Sequence, residues 1–181
     1  VSTAGVVTID PNATTLNISG STTASTLNNL SATGATTVNV SGDAKVTATS
    51  STLSAATLAV NVTNTGGFAM GAIANTATFT GGSGADAVTL GGAQETAINM
   101  GDGADTVTYS GATSVVAGKV GSVTGGDGND TISMTSDQAA AADGTAAFNS
   151  SFSSFEVLRL SDTVDAGDEI DLAGLNGINN V

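Results

Sequence analysis

Three glycine-rich stretches that end in aspartate contain the residues most able to do chemistry in this sequence. An apolar residue follows each closing aspartate two positions later, which is typical of a turn leading into a strand. Because glycine tolerates φ values that a Cβ disfavours, such turns can direct backbone carbonyls inward, and the aspartate adds a carboxylate. Each stretch therefore offers a set of oxygen ligands. The stretches are Gly81-Gly82-Ser83-Gly84-Ala85-Asp86, Met100-Gly101-Asp102-Gly103-Ala104-Asp105 and Gly125-Gly126-Asp127-Gly128-Asn129-Asp130.

Oxygen ligands in stacked turns favour calcium. Calcium binds about six to eight oxygens at roughly 2.3–2.6 Å, and strands of a parallel sheet lie about 4.8 Å apart, so an ion between two stacked turns would contact both. The competing interpretation is that the aspartates are ordinary turn residues that accept hydrogen bonds from nearby amides. Because crowded carboxylates would repel one another without a cation, we expect calcium. The expected ligands are Gly82, Gly84, Asp86, Gly101, Asp102, Gly103, Asp105, Gly126, Asp127, Gly128 and Asp130.

The spacing of the three stretches predicts that they stack. They begin at residues 81, 100 and 125, at intervals of 19 and 25 residues. The nine-residue solenoid repeat that these stretches resemble makes one coil of about 18 residues from two copies. The stretches then lie on one edge in successive coils, with one ion between the first and second turns and one between the second and third. Gly91–Thr96 falls on the opposite edge and has Thr96 in place of the aspartate. The longer second interval contains Ser110–Thr124.

A second repeat occupies the first 64 residues. Leu16-Asn17-Ile18 recurs as Val38-Asn39-Val40 and as Val60-Asn61-Val62, each copy 22 residues after the last. Strict alternation predicts strands, and a fixed period of this size predicts a solenoid. The apolar residues should stack inside the coil and the asparagines should form an outward ladder of amide hydrogen bonds. Gly20, Gly42 and Asn64 should mark the corners, because both residue types tolerate positive φ.

These repeats predict an all-β fold, a right-handed parallel β-roll or β-helix solenoid, as one continuous segment over residues 1–181. Residues 1–80 are expected to form Thr/Asn-rich coils, 81–134 the calcium coils, and 135–181 a covering loop, a short helix and further strands. The helix should run from Ser136 through four alanines to Asp143-Gly144, and Phe155–Leu160 should form a strand. Phe148, Phe152 and Phe155 are expected in the core or covering it. Since no Met begins the sequence, we expect it to be part of a longer polypeptide with further coils at both ends.

Composition and charge argue against several function classes. Sixteen acidic residues against three basic ones give a net charge of −13, which disfavours nucleic acid as a partner. The absence of His and Cys removes the usual nucleophile–base pairs, zinc sites and disulfides, and we expect no catalytic residues. No apolar run is long enough to predict membrane insertion. Aromatic residues make up only 3%, which suits narrow coils too thin for large rings.

A further group of acidic residues lies near the end of the chain. We expect it to be an exposed loop or an additional calcium site rather than an active site. Its members are Asp162, Asp165, Asp168, Glu169 and Asp171.

The glycine–aspartate stretches resemble the calcium-binding RTX repeat, G-G-x-G-x-D-x-U-x. With the Thr/Asn coils before them and Phe155–Leu160 after them, they resemble the calcium-dependent surface-layer (S-layer) proteins of Gram-negative bacteria, from about Thr14 to Ser161. The resemblance implies an exported, type I-secreted protein whose β-roll binds calcium and which assembles with copies of itself into a lattice on the bacterial cell surface. Other parts of such a chain would contact a cell-surface polysaccharide.

Two other functions compete with this interpretation. One is an RTX adhesin, including the ice-binding type, in which Thr14/Thr36 and Thr15/Thr37 form flat outward rows; Leu58 and Ala59 interrupt these rows. The other is the non-catalytic module of a calcium-dependent exoenzyme acting on polysaccharide. Aromatic sugar platforms would be expected in such an enzyme, and the sequence has one Tyr and five Phe.

Overall fold

The structure, a computed structural model, describes residues 7–28, 30–50, 52–53, 58–112 and 122–181. The fold is nearly all-β, with parallel sheets stacked as a solenoid of about six turns and little helix, consistent with a right-handed β-roll. The sequence prediction of the fold class is therefore confirmed. No helix in these described ranges is both long and apolar enough to cross a membrane.

Two parallel sheets run along the solenoid, each with seven of the described strands, numbered in chain order. Sheet 1 contains β2 (Thr15–Gly20), β5 (Thr37–Gly42), β8 (Ala59–Val62), β10 (Thr78–Thr80), β12 (Ile98–Asn99), β15 (Val123–Thr124) and β18 (Phe152–Ser153). Sheet 2 contains β3 (Ser25–Thr26), β6 (Val46–Ala48), β9 (Phe68–Ile73), β11 (Ala87–Leu90), β14 (Thr106–Tyr109), β17 (Thr131–Met134) and β19 (Val157–Leu160). The chain alternates between these two sheets, so every coil contributes one strand to each.

Two smaller groups of strands differ between the two ends of the solenoid. A short third sheet gives the first coils a third side and contains β1 (Val7–Thr8), β4 (Leu30–Ala32) and β7 (Thr52–Leu53). A two-stranded pairing in the later coils consists of β13 (Asp102–Gly103) and β16 (Asp127–Gly128). The second pairing lies within the glycine-rich stretches themselves.

The 22-residue repeat has the register that the sequence predicts. Leu16 pairs with Val38 and Val38 with Val60, while Ile18, Val40 and Val62 form the neighbouring row. The asparagines between them form the expected outward ladder: Asn39 Nδ2 donates to Asn17 Oδ1 at 2.9 Å, and Asn61 Nδ2 donates to Asn39 Oδ1 at 3.0 Å.

The corners of these coils are only partly as predicted. Gly20 and Gly42 are paired at the ends of β2 and β5, but of the three predicted corner residues only Gly42 has a positive φ, at 103°. Asn64 instead stabilises its turn through hydrogen bonds, accepting from the Gly66 amide at 2.7 Å and donating to the Ala44 carbonyl at 2.9 Å. All three residues lie at or just after the end of a sheet 1 strand, as corner residues do, but only Gly42 adopts the positive φ that these residue types tolerate.

The interior accommodates large rings, contrary to the expectation from composition. All five Phe side chains are at most 2% exposed, and Phe148 stacks on Phe152 with ring centroids 4.8 Å apart. The expectation of an interior too narrow for large rings was wrong because Thr, Ser and Asn fill the outward rows, whereas the inward rows hold the larger apolar side chains. Phe148, Phe152 and Phe155 belong to the core, as predicted.

Two short helices fill the connection from β17 to β18. The predicted helix is α1 (Ser136–Ala142), and Thr135 and Gln138 form a capping box at its start. A second helix, α2 (Ala146–Ser151), was not predicted; Thr145 caps it by accepting from the Phe148 amide. A 3-10 turn, Leu172–Gly174, follows β19.

Candidate functional site

The three glycine–aspartate stretches lie on one edge of the solenoid, which we call the glycine edge. It consists of the connections from sheet 1 to sheet 2, namely Gly81–Asp86, Met100–Asp105 and Gly125–Asp130. Gly91–Thr96 connects sheet 2 back to sheet 1 and lies on the opposite edge. The predicted stacking of the three turns in successive coils is confirmed, because Ala87, Thr106 and Thr131 follow the turns in one register.

The second and third turns stack most regularly. Asp102 and Gly103 pair with Asp127 and Gly128 as β13 and β16, and the Asp127 amide donates to the Gly101 carbonyl at 2.9 Å. Gly101 and Gly126 have φ values of 95° and 104°, which L side chains rarely adopt. The longer interval between these turns leaves their register intact. Its extra residues belong to the chain segment between β14 and β15, of which 113–121 lie outside the described residues.

The first turn has a different backbone conformation. None of Gly81, Gly82 and Gly84 has a φ in the left-handed range, unlike Gly101 and Gly126. The Asp102 amide still donates to the Gly82 carbonyl at 2.8 Å, so the first turn remains stacked on the second. The three turns therefore share an edge and a register without sharing one conformation.

The closing aspartates form a buried series of hydrogen bonds, which we call the carboxylate ladder (Asp86, Asp105 and Asp130). Asp86 Oδ1 accepts from the Phe68 amide at 2.6 Å, Asp105 Oδ1 from the Asp86 amide at 2.7 Å, and Asp130 Oδ1 from the Asp105 amide at 2.8 Å. Each carboxylate thus joins its own coil to the preceding one. In this respect the aspartates do act as turn residues that bind nearby amides, the interpretation that competes with calcium.

The Oδ2 atoms of the three ladder aspartates differ in whether they accept a hydrogen bond. Asp86 Oδ2 accepts from the Gly82 amide at 3.0 Å, so both oxygens of Asp86 are bonded. Oδ2 of Asp105 and Oδ2 of Asp130 are buried and have no hydrogen-bond partner among the described residues. Leaving a buried acceptor unbonded costs about 1–3 kcal/mol, and more when it is charged. These two oxygens are therefore the atoms at which a cation would contribute most.

Burial raises the pKa of all three ladder carboxyls. For Asp105, removal from water raises the pKa from 3.8 to about 7; the hydrogen bond from the Asp86 amide opposes the rise, and the charges of Asp86, Asp130 and Asp102 add to it. Burial likewise raises the pKa of Asp86 and of Asp130, and outweighs the amide hydrogen bonds that each accepts. A cation at the ladder would favour the ionised carboxylates and reverse this preference.

Side chains alone do not form a metal cage. Within the described ranges, no three acidic side chains converge closely enough to hold a metal ion. Asp102 and Asp127 are exposed, unlike the buried ladder, although their backbones pair. A cation at this edge would therefore take the ladder carboxylates together with backbone carbonyls, which is the hard, oxygen-only donor set that calcium prefers.

Sequence reasoning missed the turns on either side of the three motifs. Gly66-Gly67 precedes Phe68, whose amide binds Asp86, and Glu156 lies after the last motif, where its Oε2 accepts from the Asp130 amide at 2.8 Å. Glu156 had a usable signal: like Asp130, it stands two positions before a buried apolar residue, Leu158.

The acidic residues near the end of the chain do not form a comparable site. All except the half-buried Asp168 are exposed. Asp162 accepts from the Ser136 amide at 2.7 Å, and Asp171 accepts from the Ala173 amide at 2.9 Å. Both contacts are to backbone amides, and the exposure of the group is in line with the exposed-loop expectation.

No family model matches the sequence, and no curated protein matches it.

Proposed function

We propose that this chain is a calcium-binding structural segment of a secreted bacterial surface-layer protein that self-assembles into a lattice on the cell surface. One observation carries the calcium part: Asp105 Oδ2 and Asp130 Oδ2 are buried without hydrogen-bond partners among the described residues, on the edge where the glycine turns stack. A buried carboxylate oxygen of this kind is stabilised by a proton, a buried water or a cation.

The donor set favours calcium over other metals. The sequence contains no His or Cys, so the soft and nitrogen ligands that select zinc or copper are absent. Magnesium retains several waters and requires a compact octahedron, whereas calcium tolerates irregular sets of carbonyl and carboxylate oxygens. When bound, calcium would neutralise the ladder and fix the glycine turns. Asp105, Asp130 and the carbonyls of Gly101, Gly103, Gly126 and Gly128 are the groups that would hold it.

The lattice part rests on the shape and charge of the molecule together with the resemblance of its repeats to S-layer proteins. A solenoid whose strands pair through successive coils is a rigid unit. At a net charge of −13, copies repel one another, and divalent cations reduce that repulsion more effectively than monovalent salt. Calcium then has two roles, one in folding the glycine edge and one in allowing copies to pack.

Electron microscopy and light scattering in calcium, magnesium or sodium at matched ionic strength test this proposal. We expect sheets in calcium only. The variant Asp105→Asn/Asp130→Asn should not form them, whereas Asp10→Asn/Asp137→Asn, which changes the charge equally at exposed positions, should. Equal assembly in sodium or magnesium would overturn the calcium-lattice proposal, and dispersed rods in calcium would favour the adhesin.

A further inference from the structure

The turn after the third glycine motif stacks on that motif although it has no motif of its own. The Gly125 amide donates to the Ser153 carbonyl at 3.0 Å, and the Glu156 amide donates to the Asp130 carbonyl at 3.0 Å. Thr131 then pairs with Val157 where β17 meets β19. Ser153–Glu156 is therefore the next turn of the glycine edge.

The gap between the third glycine turn and Ser153–Glu156 brings two oxygens together, as does the gap between the first and second glycine turns. At Gly81, an added Cβ would collide with the Met100 carbonyl oxygen of the next turn and lie 2.8 Å from Asp86 Oδ2. At Gly125, an added Cβ would collide with the Ser154 carbonyl oxygen and lie 2.7 Å from Asp130 Oδ2. In both gaps, a carbonyl from the next turn and a carboxylate oxygen from the glycine's own turn converge on one space.

Glu156 continues the carboxylate ladder by one position. Its Oε2 accepts from the Asp130 amide at 2.8 Å, as Asp130 Oδ1 accepts from the Asp105 amide at 2.8 Å. Ser154, opposite Gly125, has a φ of 55°, in the left-handed region that non-glycine residues seldom occupy. The turn thus repeats the ladder contact of the motif with different residues.

Among the described residues, the oxygen that faces this gap has no hydrogen-bond partner. Asp130 is 0% exposed, and its Oδ2 has no hydrogen bond from any described residue. Glu156, which is half-buried, brings a second carboxylate close to the buried Asp130, and a cation would relieve the repulsion between the two charges.

We infer that a further calcium site lies between the third glycine turn and Ser153–Glu156, with Asp130 Oδ2, the Ser154 carbonyl and the Glu156 carboxylate among its ligands. The inference rests on the proposed function for the identity of the ion. It adds a ligand from outside the repeat motif and a site beyond the two that the motif spacing predicts.

Calcium titration by calorimetry and native mass spectrometry of wild type, Glu156→Gln and Glu95→Gln tests the inference. The new glutamine side chain in Glu156→Gln can still accept the Asp130 amide hydrogen bond, so the substitution removes charge while keeping the ladder contact. Glu95 is exposed on the opposite edge and gives a control with the same change of charge. Loss of a direct ligand should weaken the binding of one calcium ion by about tenfold or more, since even groups that only support a ligand contribute about 10–100-fold to metal affinity.

We expect wild type and Glu95→Gln to bind three ions, two between the three glycine turns and one between the third turn and Ser153–Glu156, and Glu156→Gln to bind one fewer. Unchanged binding in Glu156→Gln, or only two ions in wild type, would overturn this inference and leave the proposed function standing. No calcium bound by wild type would overturn both. If Glu156→Gln does not fold, the wild-type count decides alone.

Discussion

Asp105 and Asp86 are joined by a hydrogen bond of 2.7 Å from the Asp86 amide to Asp105 Oδ1, across two successive coils. The other oxygen of Asp105 is buried without a partner among the described residues, whereas both oxygens of Asp86 accept backbone amides. Two aspartates at the same motif position therefore differ in role. Asp86 satisfies its turn without a metal, and Asp105 does not.

Substitution by asparagine should separate these roles. Asp105→Asn can keep the hydrogen bond to the Asp86 amide, so the calcium-free protein should stay folded. Its calcium affinity should fall about tenfold or more at both gaps that the middle turn lines. Asp86→Asn places an amide N–H against a backbone N–H of Phe68 or Gly82, and should destabilise the calcium-free protein by about 1–3 kcal/mol.

Urea unfolding in chelator and calcium calorimetry measure the two effects. Equal destabilisation by the two variants would contradict the assigned hydrogen bonds. Equal losses of bound ions would contradict the stacking order, in which the turn of Asp86 borders one other glycine motif and the turn of Asp105 borders two.

The calcium-free protein should lose stability as pH rises towards neutrality. The pKa of Asp105 is raised by burial from 3.8 to about 7, so between these values the folded chain holds a proton that the unfolded chain has released. A contribution of this sign is complete below the unfolded pKa and is lost as pH rises through the folded pKa. The raised pKa values of Asp86 and Asp130 act in the same direction.

Thermal melts in chelator should therefore show a lower Tm at about pH 8 than at about pH 5, and Asp105→Asn should reduce the difference. Saturating calcium should reduce it too, because the cation replaces the proton. A Tm in chelator that rises over this range would show that the ladder carboxyls are not protonated in the folded state.

The fold was predictable from the sequence because a solenoid repeats its signals. Leu16, Val38 and Val60 occupy equivalent positions in successive coils, so period and alternation were enough to assign the strands and their register. The edge on which the aspartates lie followed from the same counting.

The details of the site were less predictable, because they depend on contacts between coils. That Asp86 has both oxygens bonded while one oxygen of Asp105 lacks a partner among the described residues is decided by the conformation of each turn, which the shared motif does not specify. Glu156 was missed because its turn has no glycine motif, although its place before Leu158 matched that of the aspartates.

Removal of calcium should destabilise the central coils first. Extracellular calcium modules bind at about 10⁻⁴–10⁻³ M, so millimolar calcium stabilises the fold by about 1 kcal/mol per site. Hydrogen exchange with and without chelator should show loss of protection between residues 81 and 134, with less change at β2 and β5. Magnesium at the same concentration should not restore protection. Exchange and melting curves unaffected by chelator would refute the metal proposal.

The outward asparagine ladder should stabilise the first coils in proportion to the hydrogen bonds that each member makes. Asn39 donates to Asn17 and accepts from Asn61, whereas Asn17 takes part in only one of these two bonds. Each hydrogen bond contributes about 0.5–1.5 kcal/mol net, and exposed ones fall at the low end. Asn39→Ala should therefore cost about twice as much as Asn17→Ala. Urea unfolding in saturating calcium, which holds the glycine edge constant, measures the difference, and equal costs would mean that solvent replaces the ladder bonds without loss.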